Sequence, residues 1–139
     1  MAPDDRKTGI DLKKLVREIF PLDEMIRNGL GCSYRFSLEI ERLVSETSEG
    51  SELNFAVVSG GSLARRELAP FSDIDITIIT LDSQADSEAI SRFVTCMWDS
   101  GLEISHTVRE LSDIEVAARE DLHVFTSLLE TSFICGNEI

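Results

Sequence analysis

The stretch of the 139-residue chain that most restricts its fold is Asp-Ile-Asp-Ile-Thr-Ile-Ile-Thr, residues 73–80. Period-two strand geometry sends Ile74, Ile76 and Ile78 to one face and Asp73 and Asp75 to the other. One side of this strand therefore enters a core, while the other carries two carboxylates held side by side. Such carboxylates repel each other unless a divalent cation bridges them. An all-oxygen site of this kind suits magnesium, which keeps some of its waters and takes other ligands from phosphates. The same pair also fits the solvent face of an edge strand, so the neighbouring sequence has to decide.

Upstream, Asn54-Phe-Ala-Val-Val58 is a short apolar strand, and Gly60-Gly61 breaks it. The glycines let the backbone approach a ligand without a Cβ in the way. Ser62 is placed to open a short helix over residues 63–68, with its hydroxyl and the following amides available to phosphate. Arg65 and Arg66 add cationic donors. Pro70 forces an extended stretch before the aspartate strand. A Gly-Ser turn alone or an Asp-x-Asp alone is weak. Gly61-Ser62 followed, after ten intervening residues, by Asp73 and Asp75 on a strand is a specific combination.

The remaining pattern is mostly helical. Apolar spacing predicts a helix over residues 10–20, stopped by Pro21, a second over 34–46 and the strongest over 86–98. Residues 102–108 alternate, with Leu102, Ile104, His106 and Val108 on one face and Glu103, Ser105 and Thr107 on the other. By that parity His106 is expected to be buried and structural, and Trp98 and Cys96 belong to the core. Ser112-Asp-Ile-Glu115 matches a capping box for a helix through Arg119. A last helix is expected over 122–135, ended by Gly136. The fold class is α+β: a small mixed sheet of three strands packed with helices, in a single domain over 1–139. Residues 1–50 form its N-terminal helical part and 51–139 its core.

Composition narrows the function. With 26 acidic against 13 basic residues, a formal net charge of -13 and no basic cluster, the surface repels nucleic-acid backbones, so long DNA or RNA is not an expected substrate. A cation-chelated nucleotide remains compatible. Cys32, Cys96 and Cys135 are odd in number and form no Cys-x-x-Cys pair, which fits free thiols rather than a zinc site or disulfides. No apolar run is long enough to span a bilayer and the N-terminus does not read as a signal peptide, so a cytoplasmic location with no membrane partner is expected.

The glycine turn and the aspartate strand together resemble the signature of the DNA polymerase beta-like nucleotidyltransferase superfamily. The likeness narrows through Arg65, the segment Glu67 to Asp75, Trp98-Asp-Ser-Gly-Leu102, His106-Thr-Val-Arg109 and residues 120–130. Over residues 54–136 the chain resembles the N-terminal nucleotidyltransferase domain of bacterial PII-protein uridylyltransferases. That resemblance implies a DNA polymerase beta-like fold, Asp73 and Asp75 as catalytic metal ligands, and Glu103 as the best candidate for a third carboxylate. It implies nucleotide-binding roles for Gly60, Gly61, Ser62, Arg65 and Ser72. It also implies two magnesium ions (manganese as a substitute), UTP as favoured donor with ATP as the other option, and a protein hydroxyl on a PII-like regulator as acceptor. Arg109 is open between phosphate binding and pairing with an acid.

The family's loop has glycine where this chain has Arg66, and Ser105 also stands where glycine is usual. The full-length enzymes carry phosphohydrolase and ligand-sensing domains, and the present chain is expected to lack them. Two rival readings stay open: a stand-alone antitoxin-type protein adenylyltransferase, which the Gly-Ser-x-Ala-Arg loop fits, and a catalytically silent nucleotide-binding regulatory domain.

Overall fold

The computed structural model describes residues 9–138. Among these, the order is α1 (Leu12–Ile19), α2 (Leu22–Thr47), β1 (Ala56–Ser59), α3 (Gly61–Ala64), β2 (Ile74–Thr80), α4 (Ser87–Asp99), β3 (Ile104–Glu110), α5 (Leu111–Glu120), α6 (Leu122–Leu129) and β4 (Ser132–Gly136). The four strands form one mixed sheet in the order β3-β2-β1-β4. β1 pairs antiparallel with β2 and β4, whereas β2 and β3 are parallel, joined through α4. The expected α+β class and mixed sheet are therefore present.

The alternating strand behaves as its sequence dictates. Ile74, Ile76 and Ile78 are buried and Asp75 is exposed. The buried isoleucines join Val57 of β1 in a core completed by Phe36, Ile40 and Val44 of α2 and by Ile90, Phe93, Val94 and Met97 of α4. Edge-to-face contacts fix the helices: Phe20 meets Phe36 at 5.4 Å between ring centroids, and Phe55 meets Phe93 at 5.8 Å. Aromatic pairs of this geometry contribute about 0.5–1.5 kcal/mol beyond the area they bury.

Several expectations need correction. The segment expected to be one helix over 122–135 is a helix and then a strand, which makes the sheet four-stranded. Thr131-Ser-Phe-Ile-Cys135 is β-branched and aromatic, and the free edge of β1 supplies the ladder hydrogen bonds it needs. The second helix starts well before Tyr34, at Leu22, with a break at Asn28 (φ −155°, ψ 65°), where the Asn28 side chain accepts from the Gly31 amide at 3.0 Å. α3 begins at Gly61 behind a Gly60 cap, so Ser62 lies in its first turn and does not cap it. Likewise α5 begins behind Glu110, with no side-chain cap, so Ser112 lies inside the helix; the helix itself is where the pattern puts it.

The edge strand β3 accounts for the other departures. Only its first residue, Ile104, is buried, and His106 is exposed rather than buried. Trp98 is 53% exposed instead of core; its Nε1 donates to the Ile104 carbonyl at 3.2 Å and its ring meets His106 at 6.0 Å. Cys96 is only half-buried, and Cys32 is the fully buried thiol; all three cysteines are free.

Candidate active site

The sheet topology gathers the candidate residues at one end. Because β1 and β2 are antiparallel, the end of β1 lies beside the start of β2, with Ser59 opposite Ile76. Because β2 and β3 are parallel, the start of β3 lies there too, with Ile74 opposite Ile104 and Asp75 opposite Ser105. The order of strands then puts the Gly60–Ser62 turn on one flank of Asp73 and Asp75 and Glu103 on the other.

On the β1 flank the fit is close. The Gly60 amide donates to the Asp75 carbonyl at 3.1 Å. Gly61 has φ +55°, and a Cβ built on it would stand 3.3 Å from Asp75 Oδ2. Both the left-handed backbone and the approaching carboxylate favour a residue without a side chain. The Asp75 carboxylate thus rests against the turn, as the spacing of Gly61-Ser62 and Asp-x-Asp requires.

The loop from α3 to β2 contains two residues in left-handed backbone, Arg66 (φ +63°) and Phe71 (φ +64°). Arg66 occupies the place where the resembled family has glycine, and this conformation explains that glycine. Its guanidinium pairs with Glu41 on α2, whose side chain is mostly buried. Arg65 remains at the surface, 3.4 Å from Glu67 and 3.2 Å from Glu130. Exposed pairs of this kind hold a side chain weakly, about 0–1 kcal/mol, so Arg65 is the loop cation free to reorient. The Ser72 amide donates to the Ala69 carbonyl at 3.2 Å. Pro70 second and a left-handed residue third are the pattern of a type II turn, with Phe71 where glycine is usual. The turn leaves the Phe71 ring 82% exposed.

On the β3 flank, Glu103 lies one residue before Ile104 and shares the parity of Asp73 and Asp75. Asp73 and Glu103 are both exposed and both line a cavity of about 530 Å3 that also takes in Lys13 and Phe71. Among the described residues no three His, Cys, Asp or Glu side chains converge closely enough to form a metal site. Arg109 lies five positions along β3 from Ile104, at the register of Ile79, well up the strand from Asp75. Sequence reasoning missed Phe71, Lys13 and the Arg66–Glu41 pair, and no local signal marks any of them: a phenylalanine after Pro70 does not announce a left-handed turn position.

A sheet with a glycine turn against one edge of an Asp-x-Asp strand, backed by helices, is the architecture of an α+β nucleotidyltransferase-like domain. Sequence comparison finds relatives of one kind. The chain is 41% identical over 91 residues to the bifunctional uridylyltransferase/uridylyl-removing enzyme of Pseudomonas putida, covering 64% of this chain and 10% of that protein. It is 31% identical over 144 aligned residues to the enzyme of the same name from Hydrogenovibrio crunogenus, covering 96% of this chain and 16% of the relative. The corresponding Pseudoalteromonas translucida protein is 43% identical over 90 residues, 63% of this chain and 10% of the relative. These matches are consistent with a domain of the bifunctional uridylyltransferase/uridylyl-removing enzyme family. It spans only 10% to 16% of the length of these relatives. No family model matches it, and no solved structure matches it significantly.

Proposed function

We propose that this domain transfers a nucleoside monophosphate from a nucleoside triphosphate to a protein hydroxyl, with UTP as donor and a PII-like regulator as acceptor. The observation that carries this reading is the Asp75 carboxylate seated against the Gly61 turn, with Asp73 beside it, in a chain related to uridylyltransferases. Asp73 and Asp75 supply the hard oxygen donors that magnesium prefers, and Glu103 sits on the flank from which a third would come. When bound there, magnesium supplies charge neutralisation on the triphosphate and a lowered pKa at the attacking hydroxyl.

The chain's own groups then have distinct tasks. The Gly60–Ser62 turn admits phosphate oxygens close to the backbone, and Arg65 swings from its surface carboxylates to the phosphates. Ser72, in the turn entering β2, lies next to Asp73 and adds a hydroxyl donor. The acceptor oxygen forms a bond to the α-phosphorus, the bond to the β-phosphate bridging oxygen breaks, pyrophosphate departs and the hydroxyl proton passes to water. The catalytic contribution is alignment and electrostatic stabilisation, and no covalent enzyme intermediate is required.

Incubating the chain with each labelled nucleoside triphosphate and magnesium, with and without a PII-like protein, tests this directly. Label from UTP should appear on the acceptor. Label only from ATP, on a different partner, would favour the antitoxin-type reading, and nucleotide binding without transfer would favour a regulatory module.

A further inference from the structure

Helix α2 carries two apolar stripes, of which the core uses one. Cys32, Phe36, Ile40 and Val44 recur every four residues and are buried. Leu30, Tyr34 and Leu38 recur with the same spacing but two residues out of step, about 200° around the helix, and all three are exposed. Before the break at Asn28 the row continues through Leu22, Met25 and Ile26. Exposure along it runs from 40% at Leu38 to 77% at Ile26, and not one of residues 22–31 is buried. Single apolar side chains are ordinary on a surface, whereas a row of them along one element marks a contact. The first turns of α2 need such a contact, because a short helical segment draws its stability from packing an apolar face, and the core does not supply it there.

Charge decides what the row can meet. The chain as a whole carries -13, which opposes the association of two copies. Residues 22–38 depart from that balance, since Asp23 and Glu24 are matched by Arg27 and Arg35. The acids stand at one end of this segment and Arg35 near the other. Two copies laid parallel and in register would set like charge against like. Laid antiparallel about Leu30, they set Leu22 against Leu38, Ile26 against Tyr34 and Leu30 against itself. Asp23 and Glu24 then come beside Arg35 of the second copy. This is an isologous contact with two-fold symmetry, the commonest closed symmetry among soluble oligomers.

We propose that the outer stripe of α2 is a self-association surface, on which two copies of this chain pair as antiparallel helices across a two-fold axis at Leu30. The inference is independent of the chemistry at Asp73 and Asp75.

Sedimentation equilibrium on the full chain, from dilute solution to tens of micromolar, tests it. The wild type should move with concentration from 15.5 kDa to twice that mass. Leu30→Glu places two carboxylates on the axis and should weaken the pairing roughly thirty-fold or more, and Ile26→Glu should act in the same direction. Both positions are more than three-quarters exposed, so both variants should keep the near-ultraviolet circular dichroism of the folded wild type. Glu24→Arg and Arg35→Glu should each weaken the pairing several-fold, and the two combined in one chain should restore it, because an antiparallel contact then forms with its charges exchanged. A wild type that stays monomeric throughout would mean that something other than a second copy covers the stripe. A dimer indifferent to Leu30→Glu would use another face, such as the exposed Leu122, Phe125 and Leu129 of α6. A charge-exchanged chain as weak as the single variants would exclude the antiparallel contact. Each of these three results would overturn the proposal.

Discussion

Arg66 sets two opposing effects against each other at a single position. Left-handed backbone costs a residue with a Cβ roughly 1–2 kcal/mol, yet its guanidinium neutralises Glu41, a mostly buried carboxylate on α2. Stranding a partly buried charge outweighs the relief of strain, so Arg66→Gly should lower stability by about 1 kcal/mol in urea unfolding. Adding Glu41→Gln should recover most of that loss. A gain in stability from Arg66→Gly alone would mean that the strain dominates. At this scale the sequence was only partly legible. Asp73 and Asp75 were readable because strand parity is local, and Gly61 was readable because glycine announces close approach. The left-handed positions of Arg66 and Phe71 were not, since neither residue type signals φ > 0. His106 was placed on the correct face by parity but not at the correct depth, because depth depends on how far α4 extends over β3.

Two elements carry devices that can be tested separately. The Asn28 side chain acts as an internal cap where α2 breaks, and its bond to the Gly31 amide satisfies a donor that the kink would otherwise orphan. Asn28→Ala should cost about 1 kcal/mol and speed amide hydrogen exchange around Gly31; unchanged exchange there would show that the kink does not depend on this bond. Beyond β2, the Ser83 backbone amide and hydroxyl both donate to Glu110 Oε1, at 2.9 and 2.6 Å, tying that loop to the end of β3. The Ser83 hydroxyl first, and then its amide, hold the Glu110 carboxyl below its ordinary value of 4.5. A depressed folded pKa gives stability that is present above the unfolded value and lost as pH falls through the folded one. The stability difference between wild type and Glu110→Gln should therefore be present near neutrality and shrink on acidification below 4.5. A difference that grows on acidification would contradict the assignment. Long periodic elements such as α4 were legible, whereas β4 was misread. Five residues ending in Phe133-Ile-Cys135 suit either state, and the choice was made by the vacant edge of β1, which no local pattern records.

For the molecule as a whole, strand order creates the site. The antiparallel β1–β2 pair and the parallel β2–β3 pair bring a glycine turn, two aspartates and a glutamate to one end of the sheet, though they are far apart in sequence. Only the turn-to-strand half of that arrangement was readable beforehand, because its spacing is short; the cavity beneath α1 required tertiary packing. The central claim is that Asp73 and Asp75 hold a metal-bound nucleotide, and thermal unfolding of wild type and Asp75→Asn tests it most directly. A cation and nucleotide that bind only the folded state raise the melting temperature through linkage. For the wild type, magnesium and UTP together should raise it more than the sum of the two added singly. Asp75→Asn keeps the shape but removes one charge, so it should lose that synergy, while its own metal-free melting temperature stays level or rises slightly as repulsion with Asp73 disappears. Equal shifts in wild type and Asp75→Asn would contradict the claim and leave the aspartates as ordinary solvent-facing carboxylates.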